Sequence, residues 1–274
     1  MQPHPRSRAL PALALLLALG ACTQSAPAPT ATPSATPSAM TSATPSAAPT
    51  ATPQEPVRVE VTAGDVTLEV SVPGATPDHP GAHVTPDEQA GTATVTLERS
   101  AVGDADPPTI TLVSGGTFET RVDGSVTVRS DGTAVGGLSA PRGARLTAVD
   151  GSRLEVRTTG GTDHEGREDD EDHGDLSTVL GTSSVASTDW GDREGGRSLA
   201  VVPTVWAREA GQAGTDLVWA ELVAADPGVD TATMHDQLEC HAFGAPDKDS
   251  WNLEPWRPDV GLVATMAARC NPTP

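Results

Sequence analysis

The residues best able to do chemistry lie near the end of the 274-residue chain. An imidazole, His241, lies close in sequence to two carboxylates, Asp236 and Glu254. Such groups perform general acid–base catalysis when they meet in a pocket. A single His on an amphipathic helix is also typical of a buried, hydrogen-bonded residue, so both interpretations stay open. The neighbouring Cys240 resembles half of a Cys/His pair, but a disulfide-bonded Cys is not a nucleophile.

A second group of residues favours binding instead of catalysis. Trp251, Trp256 and Arg257 occur within seven positions, and Trp and Arg are favoured at the centres of binding interfaces. The alternative is that both Trp belong to the core and that Arg257 pairs with Glu254 or Asp259. The chain contains no G-x-S-x-G, HExxH or phosphate-binding loop.

Two segments hold residues that ligate metals. His79 and His83 lie in a Pro/Gly-rich stretch that we interpret as a loop. Residues 163–175 are dense in Asp and Glu with two His. Like charges at this density repel one another and stay solvated, and their spacing matches no Ca²⁺ loop. We interpret 163–175 as an acidic linker, with weak cation binding as the alternative, and predict no metal site or cofactor.

The residues in the first two groups lie in a segment with helical patterning. The apolar spacing and capping residues predict a short strand at 198–202 and helices at 215–225, from Asp230 or Thr231 onward, and from about 259 to Cys270. On the second helix, Met234, Leu238 and His241 share one face. The region 176–274 is therefore predicted to be a small, mostly helical domain.

Residues 57–162 follow a different pattern. Apolar and polar residues alternate with a period of two, and Asp-Gly pairs separate several of the runs. This pattern is typical of antiparallel hairpins. Phe118 is the one aromatic residue of 57–162, whereas all five Trp lie at or after Trp190. The sequence thus predicts an α+β protein of two domains, in which an all-β antiparallel sandwich or meander precedes the helical domain.

The first 21 residues have the pattern of an export signal. Arg6 and Arg8 precede a Leu/Ala run, and the run ends at Leu19-Gly20-Ala21-Cys22. This ending resembles the bacterial lipobox, which implies cleavage before Cys22 and a lipid on its thiol. The resemblance places the protein on the outer face of a membrane, held by that lipid. Residues 22–56, rich in Ala, Thr, Pro and Ser, are predicted to be a disordered stalk.

Charge and cysteine usage restrict the partners and the compartment. The formal net charge is −20, which argues against nucleic acid as a partner because phosphates require Lys and Arg. If Cys22 carries lipid, Cys240 and Cys270 remain in an oxidising compartment, so we predict a disulfide between them. That bond would join the second and third predicted helices.

Several motifs resemble the closing domain of secreted actinobacterial proteins. They are M-x-D-Q-x-x-C-H at 234–241, S-W-N-L-E-x-W-R-P at 250–258, C-N-P at 270–272, R-E-G-G-R-S-L-A-V at 193–201 and P-T-x-x-A-R at 203–208. That family is a domain of unknown function, so the resemblance implies secretion and a domain boundary but no activity and no site residues.

These observations favour an exported, lipid-anchored cell-envelope protein that acts as a binding or structural module. Its expected partners are the membrane, through the lipid, and an envelope glycan or protein. The alternative is an envelope hydrolase that acts on cell-wall glycan or peptide with His241 and Glu254. An envelope chaperone or assembly factor is a third hypothesis, which the sequence does not separate from the first.

Overall fold

A computed structural model describes residues 55–103, 105–159 and 174–273. The predicted signal peptide, Cys22, nearly all of the stalk and most of the acidic linker lie outside the described residues. In the part that is described, no helix is long and apolar enough to cross a membrane.

The alternating segments form two antiparallel sheets. The first has the strand order β1-β2-β5-β10-β9. Its strands are β1 (Val57–Ala63), β2 (Val66–Val72), β5 (Thr109–Ser114), β9 (Ala144–Asp150) and β10 (Arg153–Thr158). The second has the order β3-β4-β11-β8-β7-β6. Its strands are β3 (Ala82–Asp87), β4 (Thr92–Leu97), β6 (Thr117–Thr120), β7 (Val126–Ser130), β8 (Thr133–Leu138) and β11 (Leu176–Gly181).

One apolar core lies between these sheets. Strand β2 shows the reason, because its alternate residues Val66, Leu68, Val70 and Val72 are all buried and successive side chains of a strand point to opposite faces. The core contains mostly Val, Leu and Ala, with Phe118 as its aromatic residue. The antiparallel β architecture predicted for this region is confirmed.

Strand β11 does not confirm the predicted division into two domains. Its residues, 176–181, were expected to begin the helical domain, yet β11 pairs with β4 on one side and β8 on the other. The contacts group Thr52–Pro274 as one unit. The predicted linker therefore lies between β10 of the first sheet and β11 of the second.

The C-terminal region is a mixture of strands and helices and is not mostly helical. Its three-stranded antiparallel sheet has the order β12-β13-β14. The elements are β12 (Val185–Arg193), β13 (Gly196–Pro203), α1 (Val205–Glu209), α2 (Gln212–Ala225), α3 (Ala232–Gly244), β14 (Trp251–Leu253) and α4 (Leu262–Ala267). Short 3₁₀ turns occupy Arg99–Ala101 and Pro227–Val229.

Local capping fixes some of these helix ends, and contacts distant in sequence fix others. Thr231 caps α3 by accepting a hydrogen bond from Met234 N at 3.3 Å, as its residue type predicts. Helix α2 instead begins after Gly211 with a cap supplied by the β6–β7 turn. There, Asp123 Oδ2 accepts a hydrogen bond from Gln212 N at 2.7 Å.

Helix α1 also contacts the six-stranded sheet. Trp206 is buried, and its Nε1 donates a hydrogen bond to Val179 O at 3.1 Å. Its ring lies against Gly181, where an added Cβ would come within 2.3 Å of a ring atom. Helix α2 packs on β7 and β8. These contacts place helices α1 and α2 against strands contributed by the preceding sandwich.

Candidate functional site

His241 lies on the buried face of α3, together with Met234 and Leu238, as the helical spacing predicts. Its Nε2 lies 3.1 Å from Asn252 O. A carbonyl oxygen only accepts hydrogen bonds, so Nε2 carries the proton. Its Nδ1 has no hydrogen-bond partner among the described residues. Burial is the main reason that the pKa of His241 falls to about 4, so the ring is neutral at physiological pH.

Glu254 is held by contacts through both its side chain and its backbone. Its carboxylate accepts a hydrogen bond from Arg257 Nε. Its backbone is held by Gln237, whose Oε1 accepts from Glu254 N and whose Nε2 donates to Glu254 O, both at 3.0 Å. His241 and Glu254 are therefore held by different partners. No hydrogen bond joins the two side chains in the part of the chain that the structure describes, and their pairing as an acid–base set stays a prediction.

Arg257 links three parts of the C-terminal region. Besides Glu254, it donates to Glu194 Oε2 at 2.7 Å, in the β12–β13 turn, and to Pro272 O at 3.2 Å. Its side chain is almost completely buried, which requires that its charge be paired and its donors satisfied. Arg257 thus holds the motifs at 193–201, 250–258 and 270–272 together.

The two Trp of the predicted binding patch differ in exposure. Trp251 is 1% exposed and Trp256 is 38% exposed. Trp256 lies over the Arg257 guanidinium at 4.6 Å and against Gly196. The structure therefore does not place Trp251, Trp256 and Arg257 on one accessible surface. Trp251 and Arg257 are core residues, as the alternative interpretation of the sequence predicts.

Arg208 has a comparable structural role that residue type alone did not suggest. It donates to four carbonyl oxygens, those of Pro203, Pro246, Lys248 and Asp249. Its guanidinium lies 5.4 Å from the Trp251 ring centroid. Arg208 thereby fixes the loop after α3, and the motif at 203–208 was the signal that could have identified it.

The predicted disulfide between Cys240 and Cys270 is present. Cys270 follows the end of α4, so the bond joins α3 to the turn after α4 and does not join two helices directly. Helix α4 is shorter and more exposed than predicted, with Thr265 as its buried residue. Val263 and Met266 are exposed.

A cavity of about 410 Å³ lies where the β6–β7 turn approaches helices α1 to α4. The residues that line it are Arg121, Val122, Asp123, Ala207, Arg208, Gly211, Gln212, Thr215, Asp216, Glu239, Ala242, Phe243, Trp251, Leu262 and Met266. Two of these apolar residues are highly exposed, Val122 at 95% and Phe243 at 81%. Of the residues predicted to bind or catalyse, only Trp251 contributes to this cavity.

Where residues of the sandwich line the cavity, ion pairs and hydrogen bonds hold their side chains in place. Arg121 and Thr127 both donate to Asp216 Oδ2, the latter at 2.6 Å. A hydrogen bond from Arg129 is the main cause that lowers the pKa of Glu119. For Asp123, burial raises the pKa, but hydrogen bonds from Ser125 and Gln212 outweigh it and keep the pKa below its usual value.

Asp236, the third predicted catalytic residue, lies on α3. With His235 and Glu239 it forms a cluster whose potential ligand atoms lie within 4.8 Å of one another. His235 also packs edge-on against Trp219, with ring centroids 4.7 Å apart. The three side chains are partly exposed, and exposed acidic groups of this kind commonly occur without a metal.

Comparisons with known proteins confirm the resemblance of the C-terminal region. Residues 185–273 match a family described as "Protein of unknown function (DUF2599)". The chain is 42% identical over 96 residues to uncharacterized proteins of Mycobacterium bovis and Mycobacterium tuberculosis, which is 32% of this chain and 65% of each relative. An uncharacterized protein of Mycobacterium leprae is 40% identical over 81 residues, 28% of this chain and 60% of that protein.

The chain thus spans 60–65% of the length of these curated relatives. No solved structure matches it significantly. The mycobacterial relatives support an actinobacterial origin. They carry no activity over to this chain.

Proposed function

We propose that this protein is an exported, lipid-anchored component of the cell envelope whose folded region binds a ligand in the cavity beside the β6–β7 turn. The observation that carries this proposal is the exposure of Phe243 and Val122, at 81% and 95%, in the lining of a 410 Å³ cavity. Ligand pockets typically measure roughly 300–1,000 Å³. Exposed apolar side chains that cluster at a concave surface mark interaction sites.

The positions of the predicted catalytic residues support binding over hydrolysis. His241 and Glu254 lie outside the cavity lining, and each is held by its own buried partner. The hydrolase alternative required these two side chains to meet at a pocket floor. No observation on the described residues favours that alternative.

The disulfide supports the proposed location, because such bonds persist in oxidising compartments outside the cytoplasm. The pattern before Cys22 supports a lipid anchor, since the Leu-Gly-Ala-Cys ending follows a basic start and an apolar run. A Cys22→Ser variant is expected to remain unprocessed or to be released from the membrane. Detergent-phase partitioning of the variant equal to that of the unmodified protein would contradict the anchor.

Cross-linking in the intact envelope tests the binding role directly. Benzoylphenylalanine placed at position 243 should give a discrete photo-adduct, because Phe243 lines the cavity. The matched control is the same group at Val205, which is also highly exposed but lies outside the lining. Absence of an adduct at 243 in folded, correctly located protein would contradict the proposal, as would identical adducts from both positions.

A further inference from the structure

The cations that line the cavity are already engaged within the protein. Arg121 bonds to Asp216 and, through Nε at 3.1 Å, to Thr127. Arg208 uses its donors on four backbone carbonyl oxygens. A bound molecule would therefore meet few free positive groups at this cavity.

Glu239 differs from the other acids of the lining. Its closest charged or polar partner among the described residues is His235 Nε2, at 3.9 Å, which is too far for a hydrogen bond. By contrast, Asp216 is paired with Arg121, and Asp123 accepts hydrogen bonds from Gln212 N and Ser125. Among the residues that the structure describes, no Lys or Arg pairs with the Glu239 carboxylate.

Glu239 lies one helical turn before Phe243 on α3. Side chains four positions apart on a helix are neighbours, with Cβ atoms roughly 5–6 Å apart. Both residues line the cavity. The helix therefore places an acid and an exposed aromatic ring side by side, which complements a ligand that carries a cation next to an apolar group.

We propose that the cavity binds a peptide segment in which a large apolar side chain adjoins Lys or Arg, with the apolar group against Phe243 and the cation at Glu239. This inference rests on the proposed function, because it specifies the ligand class of the same cavity. The formal net charge of −20 also favours a cationic ligand, since it attracts cationic partners over long range at low salt.

Three short peptides test this ligand class with the mature chain carrying Cys22→Ser, in EDTA to exclude metal at the His235 cluster. They are acetyl-Leu-Leu-Lys-Lys-amide, its Leu-Leu-Glu-Glu analogue and its Ala-Ala-Lys-Lys analogue, measured by calorimetry. We expect the first to bind about threefold or more tightly than the second, as a single exposed ion pair allows. The Ala analogue should bind more weakly than the first, and raising the salt concentration should reduce the charge preference.

Variants assign the two parts of the ligand to residues. Glu239→Gln should lose the preference for Lys over Glu, whereas Glu209→Gln, on the exposed end of α1 outside the lining, should keep it. Phe243→Ala should weaken Leu-Leu-Lys-Lys by at least about fivefold, the effect of a moderate interface residue. Val205→Ala is its control. Phe243 and Val205 are both exposed, so neither substitution threatens folding.

The outcomes separate the ligand class from the site. If the acidic and basic peptides bind equally, or Glu239→Gln keeps the preference, the peptide chemistry is wrong. The proposed function survives in that case provided Phe243→Ala still weakens binding. If no peptide binds, the peptide proposal fails, and the cross-linking at position 243 decides the proposed function. If Phe243→Ala leaves peptide binding unchanged, the cavity is not the site and both proposals fail. Dimerisation that Phe243→Ala abolishes would make a second copy the occupant and overturn the peptide proposal.

Discussion

The buried neutral ring of His241 should make the stability of this protein depend on pH between about 4 and 6.5. The pKa of His241 is about 4 in the folded protein, against an ordinary value of 6.5. Between these values the unfolded chain binds a proton that the folded protein does not. The part of the unfolding free energy that depends on the neutral His241 ring is therefore fully present above pH 6.5 and is lost as the pH falls toward 4.

The size of the effect follows from the same two pKa values. One pKa unit corresponds to roughly 1.4 kcal/mol, so lowering the pH from 8 to 5 should cost about 2 kcal/mol of unfolding free energy through this residue. At pH 4 the loss reaches about 3 kcal/mol. Either value is a substantial part of the roughly 5–15 kcal/mol that stabilises a typical domain.

Urea denaturation at several pH values, followed by Trp fluorescence, measures this loss. His241→Gln keeps a side-chain N–H for Asn252 O but does not titrate, so its unfolding free energy should vary less between pH 8 and pH 5. His235→Gln, on the partly exposed face of the same helix, is the matched control and should retain the dependence of the parent. If His241→Gln has the same pH dependence as the parent, then His241 is not a buried neutral base.

Three further perturbations address the scaffold. Removing the disulfide by the double substitution Cys240→Ala and Cys270→Ala should lower the unfolding free energy by about 3–4 kcal/mol, and equal denaturation midpoints would contradict this. Arg257→Met should cost roughly 3–5 kcal/mol because it leaves the Glu254 carboxylate buried and unpaired. Adding Glu254→Gln should recover part of that loss in the same denaturation assay. Gly181→Ala should lower the unfolding free energy by about 1–3 kcal/mol, because the added methyl group would overpack against the Trp206 ring. An unchanged melting temperature would show that the space beside Gly181 can hold a methyl group.

Hairpins joined by Asp-Gly turns were predictable because the turn and the alternation lie in one short segment. Strands β7 and β8 are an example, joined at Asp131 and Gly132, where both residues have positive φ. Strand β12 was missed because nearly all its side chains are exposed, so it has no apolar alternation. Strand β3 was read as a loop, although His83 pairs with Thr96 of β4.

The cavity was not predictable from local patterns because it depends on contacts between distant parts of the chain. Val122 belongs to the β6–β7 turn and Phe243 to α3, and each looks like an isolated surface residue in sequence. The turn meets the helices because Asp123 caps α2, a contact between residues 89 positions apart. The residue types of Trp251 and Arg257 favour binding, but their burial depends on the distant segments that pack over them.

The position of β11 has a consequence for how the chain is made. The strands on either side of it, β4 and β8, both precede it in sequence. Because the amino-terminal part of the chain is synthesised first, β4 and β8 lack their shared neighbour until residues 176–181 have been made. Unpaired strand edges are templates for aggregation. A recombinant fragment that stops before residue 176 would keep both edges open, so shortened versions of this protein should retain β11 to remain in solution.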